Sequence, residues 1–304
     1  MTILQAIILG IVQGLTEFIP ISSSAHLIFA SRALALFAGI DDATRAERIT
    51  ATIAVTQLGT LVAVFVYFAR DIWVIGNAFI RDHLALIGID TRRGESVDAT
   101  TGNHTNKLSH EARLGWLVII GSLPVGIVGL LFKDFIEGTF TKNLWVISIW
   151  MILIALLLLI AERVGTRTRT IEQLGLRDAL AVGGAQVLAL IPGASRSGST
   201  IMGGLFVGET RETAARFSFL LSIPAIAASG LLELVEVVKE GALPPESFVP
   251  LLVSVVVSGI VGYASIWFLL SYLRRHSTVV FVVYRIILGI IILLLLSAGI
   301  ITAI

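Results

Sequence analysis

The chain contains no cysteine among its 304 residues, and only 14% of them are Asp, Glu, Lys or Arg. The first absence rules out disulfides, thiolate chemistry and cysteine-based metal sites. The second sets the chain apart from soluble domains, in which about a quarter of residues are charged. Nor is there a charge of one sign in excess. The formal net charge is +1, which leaves no basic field and no reason to expect nucleic acid as a partner. What fills the chain is apolar: 56% of residues are hydrophobic and the mean hydropathy is +0.94. This composition points to an all-α polytopic membrane protein. The opening residues, MTILQAIILG, have neither a basic leader nor a small-residue cleavage site. They are expected to belong to the membrane domain and not to a cleaved signal peptide.

A membrane-spanning helix needs about 20 largely apolar residues. Six stretches qualify: 52–70, 114–132, 144–162, 214–236, 249–272 and 279–303. Two further apolar regions are interrupted. Residues 3–38 are broken by Glu17, Pro20 and three serines, and residues 178–207 by PGASRSG, Pro192 to Gly198. Neither half of either region can cross alone. Irregular backbone at membrane depth survives only inside protein or along a wet cavity. Both regions are therefore predicted to be re-entrant helix hairpins whose tips meet inside the molecule.

If both hairpins return to the side they enter from, six spans alternate from an external N-terminus. The cytoplasmic segments then hold 14 Lys and Arg against 6 outside, with Arg196 and Arg285 left within the apolar regions. That bias has the positive-inside sign, so both termini are expected to be external. The whole chain, 1–304, reads as one integral membrane domain made of two inverted repeats, 1–162 and 174–304. This plan places a site near the midplane, where the broken helices meet. FIPISSS and LIPGASR echo it faintly, sharing Ile-Pro followed by a serine at the same offset. The polar stretch 81–113 reads as a cytoplasmic loop. Its His83, His104 and His110 match no metal-ligand spacing.

The chemistry-bearing residues lie at the two interruptions. Gln13 and Glu17 are four apart and share a helix face. Ionisable groups in an apolar helix are costly and mark function by default. Pro20 ends that helix. Ser22, Ser23 and Ser24 follow at the start of the next, where first-turn N–H groups lack partners, and three serines exceed the needs of one N-cap. His26 lies one turn on. At the second interruption, Gly193 and Gly198 would let backbone approach a ligand. Ser195, Ser197, Ser199 and Thr200 supply hydroxyls at a helix start that favours anions. Arg196 offers a fork of donors matched to phosphate oxygens, against the plainer reading of an ion pair with Glu17. Together the tips offer a phosphate cradle, a carboxylate for a hard divalent cation and an imidazole for proton transfer or attack. Set among spanning helices, they suit a lipid with a phosphate head, either as the substrate of phosphoryl transfer or as cargo.

These residues carry a resemblance. QGLTE at Gln13–Glu17, running into PISSSAH, and PGASRSG at Pro192–Gly198 resemble the boxes of the undecaprenyl-diphosphatase family, the bacitracin-resistance type of membrane phosphatase. FSFLLSIPA (217–225) and YRIILG (284–289) are similar to further family stretches. The resemblance implies hydrolysis of undecaprenyl diphosphate to the monophosphate and inorganic phosphate, recycling the lipid carrier of peptidoglycan synthesis. It implies a bacterial inner-membrane location, a site reached from the periplasmic side and a divalent cation, Mg²⁺ or Ca²⁺. The residues it marks are Gln13, Glu17, Ser22, Ser23, His26, Ser195, Arg196 and Ser197. Gln13 stands where many members have a carboxylate, so the metal is expected to rest on Glu17 and substrate phosphates. Ser24 and Ala25 replace a Thr-Gly pair. Ser24, Gly193, Gly198 and Thr200 join the expected substrate-binding set. Attack by His26, attack by Ser23 and activation of water by His26 all remain open. A lipid-phosphate flippase is the rival reading, and phosphate release separates the two. The expected partners are the polyprenyl diphosphate, membrane lipids and a second copy of the chain as a homodimer. Arg285, inside the last span, is expected to pair with a carboxylate or backbone carbonyls and fix packing, with a lipid phosphate as the other choice.

Overall fold

The computed structural model describes residues 1–39, 42–87, 89, 108–132, 143–240 and 248–303. Among them the secondary structure is helical, apart from one isolated β-bridge between Arg169 and Glu209. The helices are α1 (Ile3–Phe18), α2 (Ser23–Ala33), α3 (Asp42–Tyr67), α4 (Ala69–Leu86), α5 (His110–Leu131), α6 (Leu144–Val164), α7 (Leu176–Val187), α8 (Arg196–Phe206), α9 (Arg211–Glu240), α10 (Phe248–Leu273) and α11 (Val279–Ser297). Five are long and apolar enough to cross a membrane: α3 from Arg48, α5, α6, α10 and α11. The chain is a multi-pass membrane protein. α9 spans 30 residues but opens on Arg211, Glu212 and Arg216, and it is not among those five.

The two interrupted regions fold as helix pairs. Thr2 and Gln5 open α1 with a reciprocal capping box. The helix stops at Phe18, two residues before Pro20, because the residue preceding a proline is pushed out of the helical region. The chain turns through Ser22 and returns as α2. The outer ends of this pair lie together, since Gln5 Nε2 donates to the Leu34 carbonyl at 2.9 Å. Asn143, whose side chain caps α6, and the chain end belong to the same side. Leu144 N donates to Ala303 O at 2.8 Å, and Arg32 Nη1 to Thr302 O at 3.0 Å.

α7 and α8 form the second pair, and they enter from the opposite end. The carbonyl of Leu205, one residue before α8 ends, lies against Gly165, which follows α6. Glu162, buried near the end of α6, gathers that end of the molecule. It accepts from Arg167 at 3.1 Å, from Arg211 at the head of α9 and from Thr278 at the head of α11. Arg274 pairs with Glu212 at 2.8 Å and Arg216 with Asp71 at 2.6 Å on the same side.

Packing between the spans uses small polar contacts, as helices in lipid gain little from apolar burial alone. Thr56 on α3 meets Ser254 of α10 at 2.9 Å, and Ser258 Oγ donates to Thr56 O at 2.7 Å. The main core lies between the two hairpins. Phe219 on α9 meets Phe18 edge-on at 5.5 Å and Phe68 at 6.0 Å.

The polar stretch 81–113 does not read out as one loop. α4 continues to Leu86 and α5 already begins at His110. α4 is amphipathic: Ala78 and Asp82 are buried, whereas Trp73 and Ile80 are exposed. Asp82 accepts from Ser109 N at 2.7 Å and so ties the two helices together. His83 accepts from Trp116 Nε1 at 3.0 Å, and His104 lies outside the described residues.

Candidate active site

The tips of the two hairpins meet. Arg196 Nη2 lies 3.2 Å from Glu17 Oε1, and Ser197 Oγ donates to the Ile19 carbonyl at 3.2 Å. Both turns use the same local device. Ser22 and Ser195 are the N-cap residues of α2 and α8, and both hold left-handed backbone at φ 77° and 69°. Such angles are uncommon for a side-chain-bearing residue and cluster at functional sites. The device aims the first residue of each returning helix, Ser23 and Arg196, at one carboxylate. Ser23 Oγ donates to Glu17 Oε2 at 2.8 Å while Arg196 grips Oε1.

Gln13, one turn before Glu17, completes the group. Its Nε2 donates to Glu17 Oε2 at 3.1 Å and lies 3.3 Å from Thr60 Oγ1 on α3. Glu17, Gln13 and Thr60 are all buried. The hydrogen-bond ledger does not close, however. Arg196 Nε and Nη1 are buried donors without an acceptor, and Gln13 Oε1 is a buried acceptor without a donor. Unsatisfied buried groups of this kind are expensive and call for a partner.

His26 sits one turn into α2. Its Nδ1 lies 2.7 Å from the Ser22 carbonyl and its Nε2 2.7 Å from the hydroxyl of Tyr284 on α11. Ser22 Oγ and Ser24 Oγ are 3.3 Å apart.

Several expected substrate ligands have other work. Ser195 Oγ caps α8 by accepting from Gly198 N at 3.1 Å, whereas Ser22, at the matching position, makes no side-chain cap. Thr200 turns away from the tip and bonds to Arg196 O at 2.8 Å and to Ser218 on α9. Gly193 and Gly198 do allow close approach, but to protein. Gly193, at φ 94°, packs on the Ile147 carbonyl of α6. A Cβ on Gly198 would stand 2.6 Å from Arg285 Nη1.

Arg285 is the residue that binds the tips together. It is fully buried on α11 and donates to Pro20 O at 3.2 Å, to Gly193 O and Ala194 O at 2.9 Å each, and to Met151 O of α6 at 3.1 Å. Its expected packing role is met through carbonyls. Thr60 and Tyr284 went unnoticed in the sequence. Thr60 lies in a span that also holds Thr52, Thr56 and Gln57, so it did not stand out, and Tyr284 gave two signals, its place at the head of YRIILG and next to Arg285.

The model of the Bacitracin resistance protein BacA family matches residues 6–291. The chain belongs to this family. It is 50% identical to an undecaprenyl-diphosphatase of Syntrophobacter fumaroxidans over 95% of both chains. It is 46% identical to an undecaprenyl-diphosphatase of Chloroherpeton thalassium over 98% of both. A third, from Nocardia farcinica, is 46% identical over 100% of this chain and 98% of its own.

Proposed function

We propose that this chain hydrolyses undecaprenyl diphosphate to undecaprenyl phosphate and inorganic phosphate, recycling the lipid carrier of peptidoglycan synthesis and so conferring bacitracin resistance. The family and its relatives supply the reaction. The observation that carries it to particular atoms is the open ledger at the tips. Arg196 Nε and Nη1 are buried donors without an acceptor at the head of α8, beside a serine hydroxyl already aimed at a carboxylate.

In this reading Arg196 and the first-turn amides of α8 hold the diphosphate. Phosphoryl transfer is mostly positioning and charge neutralisation, and a rigid donor fork does both. Ser23 is the favoured nucleophile, because its proton already points at Glu17 Oε2, 2.8 Å away. Glu17 Oε2 takes that proton as Oγ forms the new bond to the terminal phosphorus and the bond to the lipid monophosphate breaks. Water then attacks the same phosphorus, His26 takes the water's proton, and Glu17 returns its proton to Ser23 Oγ as the Oγ–phosphorus bond breaks. Ser197, Ser195, Gly193 and Gly198 shape the second tip and act on substrate through Arg196.

A divalent cation fits in part. Gln13 Oε1 and the Glu17 carboxylate are adjacent hard oxygens, the ligand type that Mg²⁺ and Ca²⁺ take. They hold one carboxylate between them, and the described residues contain no group of three His, Asp or Glu that could hold a metal alone. Such an ion would rest on Gln13, Glu17 and substrate oxygens, and it would neutralise phosphate charge.

The membrane reading is six spans, α3, α5, α6, α9, α10 and α11, with α1–α2 and α7–α8 as re-entrant hairpins of two inverted repeats. The matched left-handed serines support it. So does the gathering of both chain ends on one side, opposite Arg167, Arg211, Arg216 and Arg274. In a bacterial inner membrane the arginine-rich side is cytoplasmic and both termini are periplasmic.

The test is phosphate release from undecaprenyl diphosphate by purified protein in detergent, with Mg²⁺, with Ca²⁺ and with chelator. Release is expected with metal. Arg196→Ala is expected to lower kcat/KM by about 100-fold or more, the loss of a preorganised charge-stabilising donor. Folded protein that releases no phosphate under any of these conditions defeats the reading.

A further inference from the structure

We infer that Tyr284 is the positioning residue for His26, fixing where its Nε2 points when that nitrogen exchanges a proton. The inference rests on the reading above, in which His26 handles a proton.

The argument begins at the other nitrogen. Nδ1 of His26 faces the Ser22 carbonyl at 2.7 Å. A carbonyl oxygen only accepts, so Nδ1 carries a hydrogen. In the neutral ring Nε2 is then an acceptor, and it is the nitrogen left for chemistry. The Tyr284 hydroxyl lies 2.7 Å from it and donates to it. The two rings are close to parallel, with an interplanar angle of 12° and centroids 5.7 Å apart. His26 is thus clamped between the strained backbone of Ser22, at φ 77°, and a phenol on the last helix.

The phenol is itself anchored. Arg285, the next residue, bonds to carbonyls of both tips. One helix therefore sets the tips and the imidazole together. α11 reaches the first hairpin from 258 residues away in sequence, so the contact is a tertiary device and not local packing. A tyrosine used only as an apolar filler has no need of its hydroxyl, and Tyr284 is exposed enough to place that hydroxyl elsewhere. The hydroxyl fills the one lone pair of the neutral Nε2, so it holds the ring in place until the attacking water displaces it and gives that nitrogen its proton.

Tyr284→Phe keeps the ring and removes only the donor. In full-length protein in detergent, assayed on undecaprenyl diphosphate, kcat is expected to fall by at least about tenfold, a part of the roughly 10²–10⁴-fold that a general acid–base group contributes, with KM held within about twofold. ¹⁵N-histidine spectra give a readout apart from activity. The His26 signals, identified by their loss in His26→Gln, are expected to show the Nδ1–H tautomer in both proteins, held by the Ser22 carbonyl, with the Nε2 signal shifted in Tyr284→Phe by loss of its donor. Parent kcat and an unshifted Nε2 signal in Tyr284→Phe, with His26→Gln inactive, would overturn the positioning role and leave His26 in place. Parent kcat in His26→Gln would overturn the reading of His26 and the inference with it.

Discussion

Arg285 donates to four carbonyls drawn from the first tip, the second tip and α6. Every one of those acceptors is backbone, so no side chain in the sequence announces the partnership. A lysine at this position keeps the charge but not the planar fork, and it cannot span acceptors on three segments. Arg285→Lys is expected to destabilise the protein by about 3 kcal/mol or more, the cost of breaking a buried charged network, read as a lowered midpoint of thermal unfolding in detergent. The same limit explains what the sequence offered at the candidate site. Gln13, Glu17, Ser23, His26 and Arg196 were legible because polar groups are conspicuous in apolar helices. Tyr284 and Thr60 were not, since a tyrosine or threonine in a membrane helix is ordinary.

The hairpins show how an element can be legible while its register is not. Pro20 and Pro192, flanked by serines, marked both turns. The Ile-Pro echo, however, equates Ser23 with Ser195, whereas the backbone equates Ser22 with Ser195. The second turn holds one more residue between proline and cap, and Gly193 lies in that turn at φ 94°. Counted from the caps, Gln13 and Gln186 correspond, each nine residues ahead, and both are buried with an unpartnered Oε1. Gly193→Ala forces a Cβ into left-handed backbone and onto the Ile147 carbonyl at once. The expected outcome is displacement of the second tip: phosphate release falls at least about tenfold, and the variant gains protease sensitivity around residues 188–195. Parent activity and parent protease resistance would contradict it. α4 escaped notice for a different reason. Arg81, Asp82 and His83 made its end look like loop, although they stand on one amphipathic helix whose apolar face includes Trp73 and Ile80.

At the scale of the whole molecule, stability carries a pH dependence set far from the tips. Glu209 follows α8, is fully buried, and has no partner for either carboxyl oxygen. Gly204 of α8 lies against its carboxyl group without charge. Burial, then the nearby Asp178 carboxylate, push its pKa from 4.5 up to about 8, and Arg169 only partly offsets them. Its folded value is thus above its unfolded one. The folded state holds a proton that the unfolded chain has released, so stability is full below pH 4.5 and declines as pH rises towards 8. Glu209→Gln removes this titration. Its thermal midpoint is expected to vary less than the parent's between pH 4.5 and 8 and to exceed the parent's at the upper end. Equal slopes for the two proteins would exclude Glu209 as the source.

The four bonds of Arg285, the Arg196–Glu17 pair and the Ser197–Ile19 bond have a mechanical consequence. They make the two tips a single keystone between opposed half-arches. Sliding residues 1–164 past residues 165–303 would break four of these links, those of Arg285 to Pro20 O and Met151 O, of Arg196 to Glu17 and of Ser197 to Ile19 O. The joined tips are therefore built to stand still, and a ligand of this site has to come to them.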